Sequence, residues 1–390
     1  MDIYNSAKGK HVLVLDGYCK QCLPFIRSFK NFGCEVTVLC SSKMDCAYAS
    51  RIPDRKILID FTWESPKEMG DYILGLISTG YYDIVYPLFD LTVQLLAHNK
   101  KEMSKYAYIC VNDKEIFDRA FNKNEVMRVC MENDIPCPRT LLDVKSIDEV
   151  IEKEISFPLI IKPHSLYGAR GFHIFRSENE MREYVEARGI NLNEYVVQEF
   201  IPEGSHLMGA NIYVDRDGVI KSSYLYICEH IYPENGGTST LNGILIRPDI
   251  TEYCNKLVQL MNLRGEIGID LMLDVRDNVG KVIEINVRPV HGVSVGFFFG
   301  VDHAQQVLED ALGLPVTKME ITKTDTAVRI LQTDALWYMS SPDRFVRTPK
   351  KLGYKHVKEQ MFFWDDPLPW FAFLFDGMKN YKKKMLEKTQ

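Results

Sequence analysis

Short aliphatic runs alternate with helical stretches through the first third of the chain. The run HVLVLDG, His11 to Gly17, is rich in β-branched residues and ends at a glycine, as a buried parallel strand does. A helical pattern then extends through Phe29, and CEVTVLC, Cys34 to Cys40, predicts a second strand. DIVYPLFD and the helical pattern LTVQLLAHNKKEM repeat the alternation. Strand, helix and strand in this order predict a right-handed crossover and a parallel sheet.

The periodicity changes in the middle of the chain. NKNEVMRVCMENDIPCPRT predicts a helix that ends at Ile135, because the residue before a proline disfavours the helical conformation. The apolar run of SFPLIIKPHS, a helical stretch near Glu178 to Arg188 and the strand pattern EYVVQEFI follow. A β-rich part begins near Ser205 and contains the paired strand patterns EIGIDLMLD and GKVIEINVRP. Together these patterns predict a protein of mixed α/β and α+β class.

The opening third resembles half of a Rossmann fold, yet no Gly-x-Gly-x-x-Gly sequence follows the first predicted strand. We therefore exclude dinucleotide binding. Cys19 and Cys22 stand after that strand, where a thioredoxin-like protein holds its redox pair. The Rossmann-like continuation of the domain and the lack of a second CxxC favour ordinary packing over a redox or zinc site.

The segment EINVRP carries an informative set of polar positions. Because side chains alternate along a strand, Glu284 and Asn286 face the same side, about 7 Å apart. If the hairpin turn is centred near Asp277, Asp270 of the preceding strand lies opposite Glu284. Two carboxylates and an amide oxygen suit a hard cation such as Mg²⁺. The same alternation also fits solvent-facing residues of an amphipathic hairpin, and Arg288 adds a cation to the polar face.

A lysine at the end of an apolar strand is a second polar signal. Lys162 closes the run FPLIIK, and a loop with Gly168 and Gly171 follows it. Backbone N–H groups of a glycine loop can hold phosphate oxygens, and a lysine ammonium adds positive charge. The Gly-Lys-Ser/Thr sequence of a P-loop is missing. A structural lysine before a turn is the alternative.

The order of these pieces resembles the ATP-grasp superfamily. Lys123 comes first, then Lys162 with its glycine loop, VVQEFI, Asp270 and finally EINVR, over roughly residues 112 to 300. The resemblance implies a Rossmann-like N-terminal domain, a two-lobed ATP-grasp fold and a short C-terminal extension. The domains are expected at residues 1–112, 113–204 (small lobe with glycine loop and adenine hinge), 205–325 (large lobe with metal site) and 326–390 (aromatic and basic extension).

The resemblance also assigns roles to residues. Lys162 and Arg288 are implied to take part in catalysis, while Asp270, Glu284 and Asn286 are implied to hold two Mg²⁺ ions, with Mn²⁺ as a substitute. The backbone of Glu199 and Ile201 would read the adenine edge. The residues implied to bind ATP are Lys123, Lys162, Ser165, Gly168, Gly171, Gln198, Glu199, Phe200, Ile201, Glu203 and His206.

Two positions depart from the family pattern. Many members carry an acidic residue shortly after the hinge for the ribose hydroxyls, and either Glu203 or His206 could serve here. Some members have an arginine two residues before the first metal ligand, where this chain has Gly268. Arg247 or Arg288 would then supply that charge.

The resemblance implies an ATP-dependent ligase that acts on a small-molecule carboxylate and an amine, for example an amino acid or a sugar acid. The carboxylate attacks the γ-phosphate of ATP, and the amine displaces phosphate from the acyl phosphate. A kinase that phosphorylates a hydroxyl shares the same ATP half and is the alternative, and a protein that binds ATP without chemistry is a third reading. In PENGGTSTLNG, the residues Gly236, Gly237, Thr238 and Ser239 either line the acyl phosphate or form a surface turn.

Composition narrows the class further. With 390 residues, 46% hydrophobic and 26% charged, the chain is typical of a globular protein of two or three domains. A net charge of −6 argues against nucleic-acid binding. No apolar run approaches the roughly 20 residues of a membrane span, and the start lacks a signal-peptide pattern. Ten cysteines are then expected to be reduced thiols in a cytoplasmic protein.

Several aromatic positions lie outside these motifs. His230 is expected to be a hydrogen-bonded histidine near a strand end, whereas His291 stands closer to the predicted metal site. Phe297 to Phe299 predict core packing or a subunit contact, which leaves a homodimer open. The tail FFWDDPLPWFAFLFDGMKNYKKKM is expected to pack as an aromatic strip with a solvated end. Contact with an anionic membrane surface is the alternative.

Overall fold

The computed structural model describes residues 2–59, 65–165, 172–234 and 237–377. The strands are β1 (His11–Val14), β2 (Glu35–Cys40), β3 (Arg55–Leu58), β4 (Ile84–Tyr86), β5 (Tyr108–Ile109), β6 (Thr140–Leu141), β7 (Leu159–Pro163), β8 (His173–Phe175), β9 (Tyr195–Glu199), β10 (His206–Val214), β11 (Ile220–Tyr232), β12 (Thr238–Leu245), β13 (Gly265–Leu273), β14 (Gly280–Asn286), β15 (Thr326–Arg329) and β16 (His356–Glu359). The helices are α1 (Ile3–Ala7), α2 (Cys22–Asn31), α3 (Cys46–Ala49), α4 (Pro66–Ile77), α5 (Asp90–Met103), α6 (Lys114–Phe121), α7 (Lys123–Glu132), α8 (Ile147–Glu152), α9 (Glu178–Arg188), α10 (Pro248–Leu260), α11 (Val293–Phe299), α12 (His303–Ala311) and α13 (Leu331–Ser340), with 3₁₀ turns at Leu192–Glu194 and Pro342–Phe345.

A five-stranded parallel sheet forms the N-terminal part, in the order β3-β2-β1-β4-β5. Its inner strands β1, β2 and β4 are buried on both faces, which explains their continuous aliphatic sequences, whereas the edge strand β3 is mostly exposed. The predicted parallel alternation is therefore confirmed. The strand order reverses at β1, because β2 and β3 lie on one side of it and β4 and β5 on the other, while all strands stay parallel. The loops after β1 and β4 therefore open a crevice at their carboxyl ends, where open α/β sheets bind ligands.

A small antiparallel sheet of four strands follows, in the order β6-β9-β7-β8. Leu159 and Ile161 of β7 are fully buried against α8 and α9, whereas Lys162 points to the opposite side. The strand β9 lies between β6 and β7, and Gln198 pairs with Thr140 on one side and Ile160 on the other. This sheet places Lys162 and the hinge sequence next to the large sheet.

A seven-stranded sheet is the largest layer, in the order β14-β13-β10-β11-β12-β15-β16. One face of β10 and β13 carries fully buried aliphatic side chains such as Ile212, Ile267 and Ile269, and α7 and α10 cover it. Strands β13 and β14 form the hairpin predicted from the sequence, with Asp270 directly opposite Glu284. The opposite face of this hairpin therefore carries its polar residues.

The C-terminal part contacts both the large sheet and the N-terminal sheet layer. Strands β15 and β16 add two members to the large sheet, although they lie after residue 325. A helix over residues 368–377 packs on the N-terminal sheet layer. Asp366 accepts hydrogen bonds from the Ser50 hydroxyl (2.5 Å) and from the Arg51 amide (3.0 Å). The domain limits at 112, 204 and 325 stay predictions.

The helices and the aromatic tail can be compared with what the sequence predicted. None of the helices in the described ranges has the length and apolar character needed to traverse a bilayer. Phe373 and Trp370 of the aromatic tail pack on the body, while Trp364 is 91% exposed. The lysine-rich end, residues 378–390, lies outside the described residues.

Candidate active site

The hairpin β13–β14 brings three oxygen-bearing side chains together. Asp270 and Glu284 occupy directly opposed positions, and a β-bulge follows immediately after Asp270. The amide of Asn286 donates a hydrogen bond to Asp270 Oδ2 at 3.1 Å. Burial, reinforced by the nearby charge of Glu284, raises the pKa of Asp270 to about 7. Two facing carboxylates in a partly buried site require positive charge nearby to balance them.

Two lysines supply part of that charge. The ammonium of Lys123 lies 3.2 Å from Glu284 Oε2, and its side chain is nearly buried. Lys162 donates a hydrogen bond to the carbonyl of Ile283 at 3.3 Å. Burial lowers the pKa of Lys162 to about 8, against the opposing influence of Glu284. The two predicted phosphate lysines therefore meet at the carboxylates of the hairpin.

The backbone explains why the lysines converge. The amide of Lys123, the first residue of α7, donates to the carbonyl of His164 at 2.9 Å, just after β7. The start of α7 is capped by the Asn122 side chain, which accepts from the amides of Asn124 and Glu125. These bonds fix the start of the helix against the end of the strand. The two lysines share one location although they are far apart in sequence.

The hinge residues lie on the outer edge of this site. Gln198 is fully buried and donates to the Thr140 hydroxyl at 2.7 Å, while its Oε1 has no partner in the described part of the chain. The Glu199 carboxylate is paired with Arg276 (3.0 Å) and Lys281 (3.4 Å). The side chain of Glu199 is thus engaged with the large lobe, and its backbone amide donates to the Arg139 carbonyl at 2.9 Å.

The remaining hinge positions differ in their surroundings. The Phe200 amide donates to the Pro158 carbonyl at 3.0 Å, and Ile201 is nearly buried. Glu203 stands exposed in the turn before β10. His206 faces a separate depression that Glu229 and Arg347 also line. The structure therefore does not bring His206 to the carboxylate pair, and the ribose contact stays a prediction.

The glycine loop lies mostly outside the described residues. Gly168 and Gly171 belong to the range 166–171, which the structure does not describe. Ser165, at the edge of that range, is exposed and forms a 2.6 Å hydrogen bond with His164 Nδ1. The predicted phosphate role of this loop stays a prediction.

Arg288 is the arginine that reaches the site. Its guanidinium donates to Asp90 of the N-terminal part through Nε (2.6 Å) and Nη2 (2.8 Å), and to Asn286 Oδ1 at 3.3 Å. Arg247 instead pairs with Asp249 at the surface. A side chain at Gly268 would meet Val290 Cγ1 at 2.5 Å, so no arginine fits there. Of the two candidates, only Arg288 contacts the metal-site residues.

A cleft of about 630 Å³ opens beside these groups. Its floor is Lys123, Asp270, Glu284, Asn286 and Arg288, and its far wall comes from the loops after β1 and β4. Residues that the sequence reasoning did not assign to the site also line it, namely Tyr18, Cys19, Lys20, Gln21, Phe89 and Asp90. The rule that ligands bind at the carboxyl ends of parallel strands was the signal that could have found them.

Other predicted positions line the same cleft. Gly237, Thr238 and Ser239 face it from the start of β12, and their role at an acyl phosphate stays a prediction. Gly236 lies outside the described residues. His291 also lines the cleft, and burial together with Lys20 and Arg288 lowers its pKa to about 3. His291 is therefore a neutral side chain near neutral pH.

The structure disfavours two alternative functional sites, a redox pair at Cys19 and Cys22 and a substrate contact at His230. Burial raises the pKa of Cys19 and of Cys22, which is the reverse of what a reactive thiol needs. His230 is fully buried, hydrogen bonded to Asp334 and the Arg347 carbonyl at 2.7 Å each, and stacked on Trp337. The expectation of a structural histidine is confirmed.

The chain is similar to known proteins of one family. Residues 120–292 match the family model described as the ATP-grasp domain. The D-aspartate ligase of Enterococcus faecium (strain Aus0004) is 27% identical over 290 residues, which cover 69% of this chain and 67% of that protein.

Solved structures support the same fold. The biotin carboxylase of Campylobacter jejuni, solved as a β,γ-ATP complex, superposes with a TM-score of 0.66 at 16% identity, over 81% of this chain and 74% of that one. The biotin carboxylase domain of Hydrogenobacter thermophilus 2-oxoglutarate carboxylase, solved with MgADP and bicarbonate, gives 0.64 at 18% identity, over 78% and 70%.

The fold is that of a two-lobed protein preceded by a parallel-sheet unit. Residues 120–292 form an ATP-grasp domain, in agreement with the order of the motifs, and the structural neighbours share its fold. The predicted fold class is confirmed.

Proposed function

We propose that the protein is an ATP-dependent ligase that activates a carboxylate as an acyl phosphate and transfers the acyl group to an amine. One observation carries the proposal: Lys123 and Lys162 meet the facing carboxylates of Asp270 and Glu284 beside a cleft wide enough for a second substrate. The similarity to a D-aspartate ligase supports the C–N ligase chemistry.

The lysines and the hinge would hold the nucleotide. Lys123 and Lys162 present two ammonium groups at one place, which neutralises the charge that accumulates on a triphosphate during transfer. The carbonyl of Glu199 and the amide of Ile201 would contact the adenine edge, as in the predicted hinge. Because phosphoryl transfer depends on positioning and charge, no protein nucleophile is needed.

The donor set of the hairpin fits a divalent cation. Asp270, Glu284 and Asn286 offer carboxylate and amide oxygens, the ligands that Mg²⁺ prefers, and phosphate oxygens would complete the coordination. In the described ranges no three or more acidic, histidine or cysteine side chains are arranged so that they could hold a metal ion on their own. When bound, Mg²⁺ supplies charge neutralisation of the transferring phosphoryl group.

The rest of the cleft would hold the carboxylate and the amine. Arg288 is fixed by Asp90 and reaches Asn286, so it can orient a carboxylate next to the phosphate site. Thr238 offers a hydroxyl group from the start of β12, whereas the Ser239 hydroxyl is already bonded to Asn242 Oδ1 at 2.6 Å. Walls from both parts of the chain would limit the access of water to a bound acyl phosphate, which slows its hydrolysis.

The test is a paired screen of acids and amines. Phosphate release from ATP is measured for each pair with Mg²⁺, beginning with D-aspartate as the acid, and products are identified by mass. We expect phosphate release that requires both partners and a product equal to acid plus amine minus water. A phosphorylated hydroxyl compound as the stable product would establish the kinase instead. ATP binding without turnover for any pair would contradict both the ligase and the kinase function.

A further inference from the structure

Lys20 is a cation of the cleft wall that the ligase chemistry has not used. It lies in the loop between β1 and α2 and lines the cleft. It forms no ion pair with any carboxylate of the described ranges, and its ammonium lies 5.0 Å from the ring centroid of Phe373. Phe373 belongs to the helix over residues 368–377, so the C-terminal extension packs against Lys20 at this point.

The neighbouring cations of the cleft are already compensated. Lys123 pairs with Glu284, and Arg288 pairs with Asp90. Burial lowers the pKa of Lys20. An ammonium held in a half-buried position without a counter-charge is costly, and an anionic ligand removes that cost.

The position of Lys20 indicates which anion it meets. Lys20 comes from the loop after β1 in the N-terminal part, whereas Asp270 and Glu284 come from the hairpin of the large sheet. Lys20 and the phosphate site therefore belong to different walls of the cleft. A carboxylate bound there is not the one that attacks ATP.

We propose that Lys20, held in place by the ring of Phe373, binds a second carboxylate of the acid substrate, so that the protein activates a dicarboxylic acid. This inference rests on the proposed ligase function. The Arg288 side of the cleft receives the carboxylate that is phosphorylated, and the Lys20 side receives the other. Phe373 is a positioning residue, because the face of its ring attracts the ammonium without touching the substrate.

The first experiment compares substrates. ATP-dependent phosphate release is measured for aspartate, glutamate and succinate against alanine and propionate, each with the same amine. We expect a kcat/KM at least about 10-fold higher for the dicarboxylates, because a charge-assisted hydrogen bond is lost with the others. Equal use of monocarboxylates would overturn the proposal while leaving the ligase function intact.

The second experiment changes the lysine. Lys20→Met is expected to raise KM for the dicarboxylate about 10- to 100-fold and to leave KM for ATP unchanged, whereas Lys20→Arg keeps most of the affinity. Lys56→Met is the matched control, since Lys56 also lies over a ring, that of Tyr48, but does not line the cleft. Equal effects of Lys20→Met on both KM values, or none, would contradict the proposal.

The third experiment tests the aromatic ring. Phe373→Leu is expected to raise KM for the dicarboxylate about 3- to 10-fold with little change in kcat, and Phe373→Tyr to restore it. Phe375→Leu, an exposed position of the same helix, serves as control. Calorimetric titration of succinate into the protein with MgADP gives a readout without turnover. Binding that Lys20→Met weakens supports the subsite even if no amine is found, and unchanged binding refutes it.

Discussion

Arg288 and Asp90 connect the two halves of the molecule through two parallel hydrogen bonds, of 2.6 and 2.8 Å. Arg288 follows the metal-site strand β14, whereas Asp90 begins α5 of the N-terminal part. Their side chains are 18% and 11% exposed, so the pair is shielded from water. Because both Nε and Nη2 of Arg288 are bonded to the Asp90 carboxylate, the planar guanidinium is held in one orientation.

Asp90→Asn should therefore lower activity through Arg288. The asparagine oxygen can accept only one of the two bonds, its NH2 group faces the other guanidinium N–H, and the negative charge is lost. We therefore expect kcat to fall about 10- to 100-fold and the free energy of unfolding to fall by roughly 1–3 kcal/mol. Kinetics and urea unfolding measure the two effects. The control is Asp249→Asn at the exposed pair with Arg247, for which the expected change is below about 0.5 kcal/mol. Matching losses in both variants would show that Asp90 has no special role.

Glu284→Ala should abolish turnover while the protein stays folded. The substitution removes one of the two facing carboxylates, so phosphate release should drop by at least about 100-fold at any Mg²⁺ concentration. Circular dichroism and a thermal melt verify the fold. Glu252→Ala on the exposed face of α10 should leave activity unchanged. Near-normal turnover of Glu284→Ala would exclude this residue from metal binding.

Gly268→Ala should reduce stability. The new Cβ would lie 2.5 Å from Val290 Cγ1, and overpacking of this kind costs about 1–3 kcal/mol. Gly75→Ala is the control, because its Cβ meets no atom within 4 Å and alanine favours the helix α4 by about 1 kcal/mol. Urea unfolding measures both variants. Combining Gly268→Ala with Val290→Ala should recover part of the loss, and no recovery would place the strain elsewhere.

Stability should depend on pH through Asp16. Its Oδ2 accepts from the Leu88 and Phe89 amides and from the Thr92 hydroxyl, and burial raises its pKa to about 7. The folded state then binds more protons than the unfolded state between pH 4 and 7, so stability falls as pH rises through that window and levels off above it. The change should reach roughly 2–4 kcal/mol.

Asp16→Asn isolates this effect. The amide oxygen can accept the same three hydrogen bonds but does not titrate. Urea unfolding at several values between pH 4 and 8 should give a stability difference between the variant and the parent that changes with pH in the stated direction. A difference that is constant with pH would assign the carboxyl an ordinary pKa.

Local sequence rules predicted the β13–β14 hairpin, but they did not predict the residues of the cleft wall. The Asp270–Glu284 register follows from strand alternation and turn position, both of which are local. Lys123 and Lys162 were found through their order in a family pattern. Asp90 and Lys20 carried no such pattern, since their place in the cleft depends on how the parallel sheet docks on the large lobe.

The hinge region shows a second limit of prediction from the sequence. Both Glu203 and His206 fit the spacing that ribose binding requires, yet His206 turns toward Glu229 and Arg347. That orientation depends on the C-terminal extension, which supplies Arg347 from more than a hundred residues away. Two strands of this extension also complete the large sheet, which its aromatic and basic composition did not indicate.

The hydrogen bond between Ser50 and Asp366 spans 316 positions of the chain. During translation the N-terminal sheet leaves the ribosome first, but the surface around α3 is finished only when Asp366 has been synthesised. A polypeptide that stops short of this residue keeps an open flank where the extension belongs. Because contacts between such distant segments form late and slowly, maturation of the N-terminal unit should wait for the end of synthesis.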